Sequence, residues 1–456
     1  MSTPDARDIT TVDASTSKTV QTDSTQSESN IEQLSSAGHA LPKHWLAIVA
    51  FMWTGVAISS FVGMATNYAA VWYVTESTES PLALALVYAC GFLPMGLLSP
   101  LGGVCADRYN RKHIIIACDL FIALSTLVAG ISVLLGHVSL PLVMAMMAVC
   151  GTGMAFRTPS FNAVMPLLVP ARHLLRINTL DGILSSLSMI LAPALGILLY
   201  TTLGFQSVLF LNTVGALAAV ATICAATIPT IRQETAQQQG AWKNLCEGAQ
   251  ALTANKGLLI LVGAVTLGMM AYGPIDSMLP LMVSSQFNGD GYMASLVTGV
   301  FGVGMLIGSL ILMARGNNVK LARTIVLAAG IVGIMAVVAG LLPSTGFIAF
   351  TIVMGILAIA CAGFGSPLMT LLQKNISEDK IGRVMGFYTS AMGLAVPVGT
   401  ALGGILAQRV GVASFFAIDG VIILVLTLVL GSIRSVRALD HANDSATQAS
   451  ETNQAA

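Results

Sequence analysis

The chain has 456 residues, of which 55% are hydrophobic and only 9% are charged, and its mean hydropathy is +0.82. A soluble protein carries charge on roughly a quarter of its residues, because its surface must be hydrated. This sequence cannot cover such a surface, so most of its surface faces hydrocarbon. The composition therefore excludes a cytosolic enzyme, a secreted domain and a nucleic-acid-binding protein, and it makes the lipid bilayer an expected partner.

Both ends of the chain differ sharply from its apolar centre. Residues 1–43 are rich in Ser, Thr, Asp, Gln and Glu and contain no aromatic residue, and residues 436–456 are similarly polar. Such segments cannot bury enough apolar surface to fold, so we expect two disordered cytoplasmic tails. The first tail also lacks the basic and apolar regions of a cleavable signal peptide.

Between the tails, twelve apolar runs are long enough to cross a hydrocarbon core of ~30 Å, which takes about 20 helical residues. They cover residues 46–74, 82–104, 113–135, 139–160, 174–201, 206–228, 258–285, 292–314, 321–342, 346–370, 381–406 and 412–433. The expected fold is therefore an all-α membrane protein with twelve transmembrane helices.

The basic residues give an independent test of this topology, because Lys and Arg concentrate in short cytoplasmic loops. With the N-terminus inside, 20 of the 21 basic residues fall in cytoplasmic segments, Arg157 among them, and only Arg409 falls outside. The external turns instead carry residues such as Glu79 and Asp290. We therefore expect a multi-pass protein of the inner (cytoplasmic) cell membrane with both termini in the cytoplasm.

The chain also contains an internal duplication. Its longest interior polar stretch, residues 229–256, is a predicted cytoplasmic linker between residues 44–228 and residues 257–435. A shift of 207 residues aligns Arg108 with Arg315, Arg176 with Arg383, Gly196 with Gly403, Gly204 with Gly411 and Asn212 with Asp419. This pattern predicts two pseudo-symmetric six-helix halves, an arrangement suited to rocking about a site between them.

The turn after the second apolar run reads GGVCADRYNRK, residues 102–112. Two glycines permit close helix approach, an acid can complement a helix dipole, and basic residues anchor the turn at the cytoplasmic surface. The segment resembles the signature of the major facilitator superfamily, which has a Gly, an Asp-Arg pair, then Gly or Asn followed by Arg-Arg or Arg-Lys. The resemblance implies that this turn forms a conformational latch with Arg383 at the start of the eleventh predicted helix. The latch residues are Gly103, Asp107, Arg108, Arg111 and Arg383.

Two further segments narrow the resemblance. FRTPSFNAVMPLLVPARHLLRINTLDG at 156–182, followed by APALG, and QKNISEDKIGRVMGF at 373–387, followed by PVGTALGG, are similar to the drug:proton antiporter group that contains macrolide efflux pumps and the enterobactin exporter. The resemblance covers roughly residues 45–435 and implies coupled transport through a cavity lined mainly by helices one, four, seven and ten. The antiporter motif of helix five keeps Pro193 and Gly196, but Ala192 replaces its first glycine.

Proton coupling must then be argued from the acids inside the predicted helices, because helix one has Met64 where many relatives carry an acid. An ionised carboxylate in hydrocarbon costs several kcal/mol, so such residues face a cavity or a partner. Asp276, between Pro274 and Pro280, is the first candidate, and Asp119 is the second. For Asp276 the alternative is a shallow acid near the external end of its helix, since it lies 20 residues after Lys256. For Asp119 the alternative is a structural ion pair. Asp181 and Asp419 are expected to be structural.

Side chains in the presumptive cavity helices provide candidates for substrate contact. Flexible thioethers adapt to irregular apolar ligands, although methionine is also common on lipid-facing surfaces. Asparagine and aromatic side chains would add polar and stacking contacts. The candidates are Asn67, Tyr68, Trp72, Met147, Met270, Tyr272 and Phe364.

These features together favour a secondary active transporter that exports a bulky, largely apolar drug, macrolide-like or siderophore-like compound by alternating access and proton antiport. An uptake permease is the first alternative. A membrane enzyme would need clustered catalytic groups, and a channel would need charged rings or a filter repeat. The seven cysteines have no disulfide or zinc spacing, and no Gly-rich phosphate loop is present. We therefore expect a monomer with no catalytic residues, cofactor or metal, whose partners are protons and a small molecule.

The predicted topology can be tested by thiol labelling of intact cells. Cysteines introduced near Glu79, His137 and Asp290 should react with an impermeant reagent added outside, whereas cysteines near Lys112 and Lys243 should not, because basic segments stay inside. Labelling near Lys243 from outside would contradict the cytoplasmic linker.

Overall fold

The structure is a computed structural model that describes residues 45–169, 171–226, 241–253, 255–315, 320–376 and 378–436. The first predicted tail and nearly all of the second lie outside these residues. The helices are α1 Trp45–Thr78, α2 Pro81–Arg108, α3 Arg111–Leu134, α4 Leu140–Leu168, α5 Ala171–Leu203, α6 Phe205–Ala225, α7 Ala241–Thr253, α8 Lys256–Phe287, α9 Gly291–Arg315, α10 Leu321–Leu341, α11 Phe347–Asn375, α12 Glu378–Val410 and α13 Val412–Ser432.

Twelve of these helices are long and apolar enough to span a membrane, which confirms the predicted all-α fold. The thirteenth, α7, lies within the segment predicted only as a polar linker. Successive spanning helices run in opposite directions. We call the end of the bundle that carries the turns at residues 79, 204, 288 and 411 the Glu79 end, and the opposite end, with the turn at residue 109, the Arg108 end.

The two halves use the same turn between their fifth and sixth spanning helices. Gly204 precedes α6 with φ +82°, and Gly411 precedes α13 with φ +83°. Only glycine adopts this backbone conformation without steric cost. Because the two glycines are 207 residues apart, the duplication seen in the sequence is also a duplication of backbone geometry.

Glycine contacts within each half are duplicated as well. Gly196 of α5 lies against the carbonyl of Ala65 in α1, and its counterpart Gly403 of α12 lies against Pro274 in α8. A Cβ at either glycine would overlap the neighbouring helix. Small residues at such points allow helices to pack in lipid, where the hydrophobic effect does not drive association.

The most extensive contacts between the halves are those of α2 with α12 and of α5 with α9. The backbones of Gly96 in α2 and Gly393 in α12 are in direct contact, and nearer the Glu79 end Gly404 packs against Ala85. In the second pair, Ile190 of α5 fits against Gly302 of α9. These contacts lie between the middle of the membrane and the Glu79 end.

Side-chain hydrogen bonds join the halves in the same region. The Ser80 hydroxyl donates to Oε1 of Gln408 over 3.0 Å, and the hydroxyls of Thr201 and Tyr292 lie 2.7 Å apart. Deeper in the membrane, the Tyr68 hydroxyl is 3.2 Å from Oγ1 of Thr298. The Glu79 end is therefore closed in this conformation.

The glycine contacts generate a stability prediction. A Cβ at Gly151 of α4 would collide with the carbonyl of Gly91 in α2, whereas Gly263 of α8 has open space around it. Overpacking a tight contact costs about 1–3 kcal/mol, so Gly151→Val should lower the melting temperature of the purified protein in detergent. Gly263→Val is the matched control and should melt close to the parent. Equal melting of both variants would contradict the packing described here.

Candidate transport site

Described residues line two large cavities, one in the first half and one mainly in the second. The cavity in the first half, the N cavity, has a volume of about 460 Å³ and is lined by α1 to α6. The cavity in the second half, the C cavity, has a volume of about 260 Å³ and is lined by α8 to α11 and α13, with Met189 of α5. The N cavity extends toward the Arg108 end as far as Trp53 and Asn162, and the C cavity as far as Leu430.

The resemblance implied one cavity lined mainly by the first, fourth, seventh and tenth spanning helices, which are α1, α4, α8 and α11. The observed arrangement differs from that expectation. The reason is the position of α5, which packs against α9 and separates the two spaces. Consecutive residues of α5 face opposite sides: Ser188 lines the N cavity and Met189 lines the C cavity. Movement of one half relative to the other would therefore change the walls of both cavities.

The wall of the N cavity contains a buried ion pair. Nε of Arg157 lies 2.8 Å from Oδ1 of Asp119, and the two side chains are 6% and 1% exposed. Oδ2 of Asp119 and Nη2 of Arg157 have no hydrogen-bond partner among the described residues. A buried pair with unused donors and acceptors is costly to keep and easily rearranged by the loss of either charge.

The prediction that Arg157 lies in a cytoplasmic segment is wrong, because its side chain is buried between helices. The predicted fourth span ended at residue 160, but α4 continues to Leu168 and carries Arg157 within its buried part. Counting charges along the sequence does not distinguish a basic residue in a loop from one paired inside a helix. The apolar residues after Arg157, from Val164 to Val169, were the available signal.

Asp276 reaches the C cavity from α8, which continues as a helix through Pro274 and Pro280. The carboxylate is exposed to the cavity and lies within electrostatic range of the Tyr68, Tyr88 and Tyr272 side chains. No basic side chain of the described residues pairs with it. Asp276 therefore differs from Asp119 in facing the cavity without an ion-pair partner among the described residues.

Four of the predicted substrate contacts line a cavity. Asn67 and Met147 face the N cavity, and Tyr272 and Phe364 face the C cavity. Tyr272 also stacks on Phe301, with ring centroids 6.3 Å apart.

The other three are occupied by packing in this conformation. Tyr68 forms the hydrogen bond to Thr298 that joins the halves. Trp72 is buried and contacts Gly291 of α9, and the carbonyl of Met270 lies against Gly399 of α12. Tyr68 and Trp72 can therefore meet a substrate only if the halves separate, whereas the contact of Met270 lies within the second half.

The predicted latch residues are distributed over several contacts. Gly102, rather than Gly103, approaches the backbone of α4, because adjacent helical residues point about 100° apart; Gly103 has open space around it. Nε of Arg111 donates to the carbonyl of Ala106 over 2.9 Å. Arg108 is exposed at the end of α2.

On the other side of the predicted latch, Nη1 of Arg383 in α12 lies 2.7 Å from Oε2 of Glu247 in α7. The side chain of Asp107 lies outside the described part of the structure, so its approach to Arg383 stays a prediction.

The other two acids expected to be structural are only partly described. The side chain of Asp419 is 4% exposed, and the side chain of Asp181 lies outside the described part. The partly conserved antiporter motif is helical through Pro193.

Comparison with known proteins agrees with this geometry. Residues 43–455 match the family described as transmembrane secretion effector. The chain is 33% identical over 390 residues to macrolide efflux protein A of Streptococcus pyogenes, a match that covers 85% of this chain and 96% of that protein. The chain belongs to the major facilitator superfamily. Its family and its relatives are transporters rather than enzymes.

More distant members of the superfamily match nearly the whole fold. The enterobactin exporter EntS of Salmonella typhi is 23% identical, over 88% of this chain and 93% of its own length. The crystal structure of a D-xylose-proton symporter superposes with a TM-score of 0.66 at 15% identity, covering 84% of this chain and 97% of that one. The transporter is thus a multi-pass membrane protein with the complete twelve-helix fold of the superfamily.

The buried ion pair leads to a prediction about stability. Arg157→Met leaves a buried carboxylate without its countercharge and should destabilise the protein by about 3–5 kcal/mol, whereas the double variant Asp119→Leu/Arg157→Met should recover most of that loss. Arg409→Met, at an exposed position, is the control. Melting curves in detergent measure all three, and additive losses in the double variant would contradict a direct pair.

Proposed function

We propose that this transporter exports a bulky, largely apolar compound, macrolide-like or siderophore-like, by alternating access driven by proton antiport. The proposal rests on the position of Asp276, which faces an apolar cavity of the second half and has no countercharge among the described residues. The efflux proteins among the relatives support the direction of transport.

The linings of both cavities fit such a compound. Aliphatic, thioether and aromatic side chains line the C cavity, among them Met269, Met305 and Phe364. The N cavity adds amide and hydroxyl groups, such as Asn67 and Ser188. Pockets of this kind bind apolar molecules and orient them with a few polar contacts. The small number of fixed charges argues against sugar phosphates, nucleotides and highly charged ions.

The closed Glu79 end supports alternating access. In this conformation both cavities extend toward the Arg108 end, which the charge distribution predicts to be cytoplasmic. A compound would enter there, and rocking of the halves would then close the Arg108 end and open the Glu79 end. Tyr68 and Trp72 would become accessible in that second state.

Asp276 would couple protons to this movement. A carboxyl group sealed from water favours its neutral form, and the same group in a hydrated cavity favours the ion. Asp276 would therefore bind a proton from the side where its cavity is open, hold it while the cavity closes, and release it after opening to the other side. Asp119 is the second candidate, since protonation would break its ion pair with Arg157.

An uptake permease of the same fold remains the alternative function. It would use the same two conformations with the opposite direction of net flux. Growth of a pump-deficient host that expresses the chain, in macrolides, tetracyclines, bile salts and siderophores, distinguishes the two functions. Export raises the tolerated concentration of the transported compound, and uptake lowers it.

The coupling role of Asp276 can be tested with one substitution. Asp276→Asn keeps the shape of the side chain but fixes it in the neutral form, so it should abolish uphill transport in proteoliposomes while substrate binding stays measurable. Asp276→Glu should retain part of the activity. The control is Asp290→Asn, because asparagine can still accept the bond from the Met293 amide that caps α9.

Continued pumping against a gradient by the Asn variant, together with proton movement on substrate addition, would assign Asp276 a structural role. The same pair of assays would then be applied to Asp119→Asn.

A further inference from the structure

We infer that Glu247, on the helix between the two halves, is a positioning residue of the transport cycle that holds Arg383 in place while the Glu79 end is closed. The inference rests on the proposed alternating access. In the opposite state, Arg383 would leave Glu247 and turn toward the end of α2 that carries Asp107.

The first support is the way in which α7 is attached. This helix packs mainly against α12 and touches α2 and α8. Gly248 lies so close to the backbone of α12 that a Cβ would collide with the carbonyl of Arg383. Four residues further on, Leu252 is fully buried in an apolar cluster with Leu258 and Val384. Within this connection, α7 is therefore a helix docked on the second half.

The second support is the ion pair itself. Oε2 of Glu247 and Nη1 of Arg383 are 2.7 Å apart, and the side chains are 25% and 40% exposed. Arg383 lies in the first turns of α12, the helix that forms the longest contact with the first half through Gly393 and Gly404. Glu247 thus fixes a charge at the Arg108 end of the same helix that closes the Glu79 end.

The third support is the partial exposure of the pair. A pair at the surface contributes little net stability, with a median near 0–1 kcal/mol, so it can be exchanged for another during a conformational change. A contact influences an equilibrium between two states only if it differs between them. A pair present only in the closed-Glu79 state would stabilise that state alone.

The experiment uses disulfide cross-linking as a reporter of the closed Glu79 end. Ser80→Cys and Gln408→Cys replace two side chains that form a hydrogen bond across the halves, in a background where the exposed Cys224 and Cys246 are serine. Glu247→Gln should slow cross-linking by about two-fold to five-fold, the factor that corresponds to a partly exposed pair. Arg383→Gln removes the pair proposed for each state, so it should slow cross-linking less than Glu247→Gln does, and the double variant should match Arg383→Gln.

The matched control is Gln250→Ala, on the exposed face of the same helix, which should leave the cross-linking rate unchanged. The reciprocal variant Glu247→Arg/Arg383→Glu restores the pair and places like charges together in the opposite state, so it should cross-link at least as fast as the parent. A purely structural role would instead lower the melting temperature of Glu247→Gln without altering the cross-linking rate, and that result would overturn the inference.

Additive effects of the two single substitutions would overturn it as well. Cross-linking needs neither substrate nor a proton gradient, so its outcome is independent of the export assay. A failure of the proposed export would appear as unchanged growth of the host, whatever the cross-linking rates are.

Discussion

Close backbone contact at glycine is the interaction on which this structure depends. In lipid, two helices gain nothing from hiding apolar side chains from each other, so they associate where small residues allow their backbones to touch. Gly96 and Gly393 create such a contact between the halves, Gly196 creates one with Ala65 in the first half, and Gly399 creates one with Met270 in the second half. These contacts fix where the bundle is tight, and the two cavities occupy the space toward the opposite end.

The contacts that close the Glu79 end are weak enough to be broken during transport. Hydrogen bonds such as those of Ser80, Tyr68 and Thr201 each contribute about 0.5–1.5 kcal/mol net. Moving an equilibrium from 1:99 to 99:1 requires about 5.5 kcal/mol of differential binding. The free energy of a few hydrogen bonds and a close glycine contact is of the same order as that differential binding energy. Binding of a compound or a proton can therefore decide which end is closed.

The two central acids illustrate how environment separates similar residues. Asp119 is held by Arg157 in a buried pair, whereas Asp276 faces a cavity among tyrosines with no countercharge in the described residues. A paired acid can change the shape of its helix packing when it is neutralised. An unpaired acid in a cavity can exchange a proton with water or contact a ligand. This contrast is why Asp276 is the stronger candidate for coupling.

The sequence predicted the twelve helices and the duplicated halves, because apolar length and glycine spacing act locally. Gly204 and Gly411 are an example: each is required by its own turn. The sequence did not predict the burial of Arg157, the docking of α7 or the choice of Gly102 over Gly103, because each depends on which helix lies opposite. Nor did it predict that Trp72 packs against Gly291 in this state. Long-range partners of this kind are set by the tertiary arrangement.

The most direct test of alternating access is a pair of distance measurements on one purified protein in lipid nanodiscs. Spin labels at Glu79 and Arg409 report the Glu79 end, and labels at Tyr109 and Lys374 report the Arg108 end. Adding a transported compound and changing the pH should lengthen the first distance while shortening the second. If both distances stayed constant, or changed in the same direction, the two halves would not alternate as described.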